Sequence, residues 1–360
     1  MTDTSENPYS GTKDVPAAFR LNEASLEAYL ARHIDGFNGP MTVRQFKGGQ
    51  SNPTYAIATP GRDYVLRRKP PGKLLPSAHA VDREFRVISA VHKAGFPVPR
   101  PFVLCADDSV IGSIFYVMEH VEGRIFWRAD LPGVPKSERA AIYDSMNATT
   151  AQLHKLDYEA LGLGDFGKAG NYFARQISRW TRQYEASRAA PRPMMDRLAK
   201  WLPDNIPPGD EVSIAHGDLK LNNMIFHPTE PRVIAVLDWE LATLGHPLSD
   251  LTYQLMTWSP GLHMSDEAPT LEAFDLEELG IPTKADYIRA YCARTGRADV
   301  GNLDFYTAYH LFRIAAIYEG INGRLREGNA SSDRAQQFAA AIDPLTEIAW
   351  SFARKAGARD

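Results

Sequence analysis

Thiol chemistry is nearly absent from this chain: 360 residues hold two cysteines, Cys105 and Cys292. They stand far apart and in no CxxC spacing. That excludes a disulfide framework and a cysteine-built zinc site, and leaves ordinary buried thiols of a reducing compartment. An excess of either charge is missing too. With 40 Lys and Arg against 44 Asp and Glu, the net charge is −4, far from the basic field that nucleic-acid binding asks for. No run approaches about eighteen consecutive apolar residues, so no membrane-spanning helix is expected. The opening "MTDTSENPYSGTKDVP" has no apolar signal core. It reads as a flexible tail covering 1–20, and a cytoplasmic protein is the expectation. What the chain does have is a globular composition, 44% hydrophobic, at a length that suits two or three domains or one bilobal unit.

After the tail, apolar spacing changes twice. "LNEASLEAYLARHI" (21–34) has Leu26, Tyr29, Leu30 and Ile34 at helical intervals. "MTVRQF" (41–46), "TYAIAT" (54–59) and "DYVLRR" (63–68) are short, β-branched or aromatic and bounded by Gly and Pro, and they read as consecutive antiparallel strands. A helix over 79–95 follows, then strands at 102–105 and 113–121. From 136 onward helical patterns dominate, at 136–156, 171–188, 192–202, 284–295, 302–326 and 333–355. One β interruption lies at 223–238. The expected class is α+β, with a small antiparallel-sheet lobe over 21–120 and a larger, mostly helical lobe over 121–360.

The polar crowding in "IAHGDLKLNNMIF" (214–226) calls for a chemical account. Within six positions it carries Asp218, Lys220, Asn222 and Asn223, straight after His216-Gly217. If "PTEP" (228–231) turns the β interruption into a hairpin, His227 faces Arg232 and Asn223 faces Val236. Asp238 is then diagonal to Asn223, about 7–8 Å away between backbones. Two oxygen-bearing side chains at that spacing suit one Mg²⁺, completed by water and phosphate oxygens. Asp218 reaches the same place from the loop that feeds the strand.

"HGDLKLNN" resembles the catalytic loop of the aminoglycoside phosphotransferase and choline kinase group of the protein-kinase-like superfamily. "LDWE" resembles its metal-binding segment. The resemblance implies a bilobal protein-kinase-like fold, with Asp218 as base, Lys220 stabilising the transferring phosphate, and Asn223 and Asp238 holding Mg²⁺. "KGGQSNPTY" (47–55) is similar to the family's phosphate-covering loop, where Gly48, Gly49, Ser51 and Asn52 would meet ATP or GTP. Glu84 would partner the cation of the third strand. In "YVMEHVEG" the backbone of Glu119 and Val121 would meet adenine. That strand departs from the family: its usual Lys is replaced by Arg67 in "YVLRRKPPG", with Lys69 as the second candidate.

"YVLRRKPPGKLLPSAHAVDREFRVI" and "DWELATLGHPLSDL" are similar to the subgroup also found fused to the N-terminus of acyl-CoA dehydrogenase family members ten and eleven. The acceptor this implies is a small molecule with a hydroxyl, an acyl-CoA among the candidates. No dehydrogenase domain fits in 360 residues, so such a partner is expected on a separate chain. Two other readings stay open. Arg67 supports a catalytically silent nucleotide- or acyl-CoA-binding pseudokinase. His216, Asp218 and Asp238 would serve a metal hydrolase. Among neighbouring residues, His216 is expected to anchor its loop and Asp250 to brace it. Trp239 and Glu240 either shape the site or pack. The aromatic stretch 306–321 is core, with His310, Arg313 and Glu319 as candidates for an acceptor pocket.

Overall fold

The computed structural model describes residues 11–47, 52–70, 80–259, 270–326 and 333–359. Strand β1 (Thr12–Lys13) precedes helix α1 (Glu23–His33), β2 (Thr42–Phe46), β3 (Thr54–Ala58) and β4 (Tyr64–Arg68). Helix α2 (Val81–Lys93) leads to β5 (Pro101–Cys105) and β6 (Phe115–Glu119). These strands form one antiparallel sheet in the order β1-β2-β3-β4-β6-β5. The tail expected over 1–20 is part of this sheet from residue 12: Thr12 and Lys13 pair with Phe46 and Gln45. Two residues are too short a run to show strand periodicity in a polar segment.

Strand β4 lies between β3 and β6, and all five of its residues are buried. Alternation sends Tyr64, Leu66 and Arg68 to one face and Val65 and Arg67 to the other. On the first face Tyr64 and Leu66 share a core with Leu26 and Leu30 of α1, and Arg68 donates to the Ile111 carbonyl at 3.2 Å. The second face meets α2. Its core, containing Val65, Val87, Ile88, Phe96 and Tyr116, continues without a break into the helical part of the chain. Phe96 packs edge-on against Trp239, ring centroids 5.9 Å apart.

The chain leaves the sheet at Glu119 and enters α3 (Lys136–His154), α4 (Tyr172–Ser187) and α5 (Pro193–Asp204). Three-residue strands β7 (Ser213–Ala215) and β8 (Met224–Phe226) follow, then β9 (Val233–Val236) and β10 (Thr243–Gly245). The remaining helices are α6 (Leu248–Leu255), α7 (Leu276–Leu279), α8 (Lys284–Thr295), α9 (Leu303–Arg326) and α10 (Asp333–Lys355). Helix α9 carries buried residues on every side, from Phe305 to Gly323, as a helix at the centre of a lobe must. The expected order of small sheet lobe and larger helical lobe is the order found.

The β8–β9 hairpin differs from the expected register. His227 does face Arg232, its N–H donating to the Arg232 carbonyl at 2.8 Å. A bulge then shifts the pairing, so Phe226 opposes Val233 but Met224 opposes Val236. Ile234 is the extra residue. Asn223 therefore sits level with Leu237, whose N–H it accepts at 2.8 Å, one position nearer Asp238 than an unbulged hairpin would put it.

Leu66 is fully buried in the α1-side core. Leu66→Ala is expected to cost about 2–5 kcal/mol of unfolding free energy in urea titration. A loss below about 1 kcal/mol would show that the α1 layer is not packed as described.

Candidate active site

The inward face of β4 delivers Arg67 to Glu84 of α2, which is 2% exposed. Arg67 Nε lies 2.9 Å from Glu84 Oε2. Tyr116, opposite Arg67 in the β4–β6 pair, donates its hydroxyl to the same oxygen at 3.1 Å. Asn52 donates its amide to Oε1 at 2.8 Å. A buried carboxylate is tolerable only when its oxygens are supplied with donors in this way. Burial still pushes the Glu84 carboxyl up, to about 7, against the opposing pull of Arg67 and Tyr116.

The far end of Arg67 crosses to the segment after β9. Its Nη2 donates to Asp238 Oδ1 at 2.8 Å and to Glu240 Oε2 at 3.2 Å. One guanidinium so holds three carboxylates from two elements, a task that uses its planar fork and that a lysine ammonium would not reproduce. Burial opposes the charge, but Glu84, Tyr116, Asp238 and Glu240 raise the Arg67 pKa above the ordinary arginine value. Lys69 is instead 3.8 Å from Asp82 at the surface. Arg67, not Lys69, takes the cation's place on the strand.

The loop after β7 is fixed from beneath. Asp250 of α6 accepts the His216 N–H at 2.7 Å and the Gly217 N–H at 2.8 Å, and His154 Nε2 lies 3.3 Å from it. Burial raises the Asp250 pKa, but His154 and His216 outweigh it and hold the carboxyl below its usual range. His216 Nε2 bonds to the Leu237 carbonyl at 2.9 Å, and its Nδ1 accepts the Asp218 N–H at 3.2 Å. Both ring nitrogens are taken by backbone, so His216 anchors the loop and has no nitrogen left for a metal. Gly217 has φ +85°, and a Cβ there would stand 2.9 Å from the Leu241 carbonyl oxygen; no other residue fits this turn without strain.

This frame presents three of the expected residues together. Asp218 Oδ2 accepts the Asn223 amide at 2.9 Å and lies 3.0 Å from Lys220 Nζ. Burial works against the Lys220 ammonium, but Tyr253, Asp218 and Asp238 carry its pKa above the usual lysine value. The nitrogen end of the Asn223 amide is turned to Asp218, which directs its oxygen away from that carboxylate. Asp238 follows the backbone contact between Leu237 and Asn223 and adopts φ 66°, a left-handed conformation that a non-glycine residue rarely holds without surrounding support. An amide oxygen and a carboxylate brought beside one loop form a hard-oxygen donor set of the kind Mg²⁺ takes, together with water and phosphate oxygens. Among the described residues no group of three or more His, Cys, Asp or Glu is placed to hold a metal.

The remaining expectations divide. Gly48, Gly49 and Ser51 lie outside the described residues. Asn52 is fully buried, and its amide serves Glu84 and, at 3.4 Å, Glu240 Oε2. Glu119 and Val121 are at the opposite end of β6 from Tyr116: Glu119 pairs with Tyr64, and its N–H donates to the Arg100 carbonyl at 2.9 Å. The polar candidates on α9 are each engaged by neighbouring elements. His310 is buried against Thr252 Oγ1 at 2.9 Å. Glu319 is buried 2.7 Å from Arg192. Arg313 donates to the Gly217 carbonyl at 2.9 Å. A cavity of about 280 Å³ does adjoin Lys220, lined by Trp127, Tyr143, Tyr253 and Trp258 among others. Sequence reasoning missed Tyr116 as a site residue altogether and left Glu240 between site and core. Only the two-residue spacing from Asp238 hinted at Glu240.

An antiparallel-sheet lobe over a helical lobe, with these carboxylates between them, defines a kinase-like phosphotransferase fold. The sequence model of the phosphotransferase enzyme family, APH, matches residues 42–297, and the chain belongs to that family. A solved protein of Ralstonia eutropha JMP134, carried under the provisional name aminoglycoside phosphotransferase, is 48% identical with a TM-score of 0.84. The match covers 93% of this chain and 99% of that one. Spectinomycin phosphotransferase APH(9)-Ia, solved with ADP and spectinomycin, shares the fold at 12% identity and a TM-score of 0.62, covering 93% of this chain and 99% of that one. Acyl-CoA dehydrogenase family member 11 of Gallus gallus is 46% identical over 94% of this chain and 44% of its own length. Member 10 of Mus musculus is 43% identical over 97% of this chain and 33% of its own length. The chain spans less than half the length of these curated relatives.

Glu84 gives a pH prediction. A carboxyl raised from 4.5 to about 7 on folding holds a proton in the folded chain that the unfolded chain has released. Its contribution to stability therefore falls as pH rises through that window. Glu84→Gln, neutral throughout, is expected to lack this slope in thermal unfolding followed from pH 4.5 to 7.5. Equal slopes in both proteins would mean that Glu84 stays ionised in the fold.

Proposed function

We propose that the chain transfers the γ-phosphate of ATP or GTP to a hydroxyl of a small-molecule acceptor in the cleft between its lobes. The observation that carries this reading is the Arg67–Asp238 ion pair at 2.8 Å. It joins the cation of the sheet lobe to the acid that follows the catalytic-type loop, so both halves of a phosphotransfer site meet at one point. In the mechanism, Asp218 accepts the acceptor's hydroxyl proton. The Asn223 amide and the Lys220 ammonium on its Oδ2 keep that carboxylate aimed. Lys220 also neutralises charge gathering on the transferring phosphoryl oxygens. Arg67, held by Glu84 at one end, offers its Nη2 to nucleotide phosphate in exchange for carboxylate. Asn223 and Asp238 would hold Mg²⁺, which would supply charge neutralisation at the phosphate oxygens.

The cavity beside Lys220 supports a particular kind of acceptor. Its described lining sets Trp127, Tyr143, Tyr253 and Trp258 beside the polar side chains of Asn222, Gln254 and Thr257, and it includes no Asp or Glu to greet a polycation. That suits a hydroxyl on an apolar carrier better than an aminoglycoside. Two of the relatives described above are named as acyl-CoA dehydrogenase family members, and a hydroxyacyl-CoA is the acceptor we favour. One observation favours a second reading, the silent pseudokinase: Arg67 is already saturated by three carboxylates, Asp238 among them.

Thermal-shift titration with ATP, GTP and CoA esters, each with and without Mg²⁺, separates the two. A Mg²⁺-dependent nucleotide shift that Asp238→Ala abolishes, followed by phosphate transfer to a hydroxyacyl-CoA, is the expected outcome. A shift indifferent to Mg²⁺ and to the substitution would remove the assignment of Asn223 and Asp238. Stabilisation without turnover on a broad acceptor panel would establish the silent form.

A further inference from the structure

Asn52, expected to meet the nucleotide directly, turns its amide instead to two carboxylates. It is the first described residue before β3, fully buried, and its Nδ2 lies between two carboxylates from different elements. Glu84 Oε1 of α2 is 2.8 Å away, and Glu240 Oε2 is 3.4 Å away. Both acids also hold Arg67, Glu84 through Oε2 at 2.9 Å and Glu240 through Oε2 at 3.2 Å.

The geometry makes a division of labour. A carboxylate with two free oxygens could grip a guanidinium side-on, taking two of its nitrogens. With Asn52 on Oε1, Glu84 meets Arg67 through Oε2, which also accepts the Tyr116 hydroxyl. Oε2 lies 2.9 Å from Nε as an ion pair without hydrogen-bond geometry, and Nη2 reaches across the cleft to Asp238. The same amide gives Glu240 a second donor, so its charge does not depend on Arg67 alone. We propose that Asn52 is a positioning residue that sets the direction of the Arg67 guanidinium, and with it the Nη2 that nucleotide phosphate would meet. The assignment rests on the reading of this cleft as a phosphotransfer site.

The position asks for a donor. Asn52→Ala removes it without adding charge, and Glu84 becomes free to chelate Arg67. Asn52→Asp keeps the shape and sets a third carboxylate against Glu84 and Glu240. Isothermal titration of each full-length protein with ATP and Mg²⁺, beside a thermal unfolding scan without ligand, tests the idea. Nucleotide Kd is expected to rise in the order wild type, Ala, Asp, by about tenfold for Asp, the loss of one charge-assisted hydrogen bond. This rise should appear at temperatures where every variant is fully folded. A merely structural asparagine would lower the melting temperature and leave Kd unchanged, and that result would overturn the proposal. If the Asp variant does not fold, the comparison of Ala with wild type decides by the same criterion. Nucleotide binding by wild type with unchanged Kd in the variants removes this inference alone. No binding by wild type removes the phosphotransfer reading and this inference with it.

Discussion

The site is organised around one buried guanidinium. Arg67 is buried, and Glu84, Asp238 and Glu240 surround its charge. The dependence is mutual. Removing Arg67 would leave three acids facing one another without their shared cation, which costs more than any single pair contributes. The arrangement therefore fixes three pieces of chain at once: β4, α2 and the turn after β9. An arginine does this better than a lysine because one end of its fork can stay with α2 while the other reaches across the cleft. The departure from the family's usual lysine is thus a change in how the strand, the helix and the turn after β9 are linked.

Much of this was legible in the sequence, and the reasons differ from residue to residue. Asp218, Lys220 and Asn223 fall within six positions, so local chain geometry alone brings them together. Arg67 and Glu84 were legible as residue types on a strand and a helix of the right order. The choice between Arg67 and Lys69 was not, because it depends on which face of β4 meets α2. Tyr116 was invisible for a related reason: a tyrosine in an apolar strand looks like packing until its cross-strand neighbour is known. The directions of His310 and Glu319 were not legible because α9 is buried on every side, and periodicity then gives no direction.

Some structural elements were illegible for reasons of length. Strands β7 and β10 have three residues each, and they exist because they pair with each other across the catalytic-type loop. The bulge at Ile234 has no sequence mark at all. It nonetheless brings Asn223 level with Leu237, and so sets the approach of Asn223 to Asp238 more directly than any residue type does. The loop's rigidity likewise comes from Asp250, more than twenty residues downstream, through two backbone N–H groups.

The apolar core on the α2 side has a mechanical consequence. Phe96 and Ile88 share one continuous cluster with Trp239, Leu219 and Leu251, so the two lobes are not separate bodies joined by a strap. Swinging one lobe against the other would expose that cluster to water, at a cost that grows with every square ångström opened. The α1 layer is different, since its core closes on itself within the sheet lobe. Adjustment to a guest molecule is therefore cheapest in loops and side chains at the rim of the cleft. The protein behaves as a fixed anvil with a movable edge, not as a jaw.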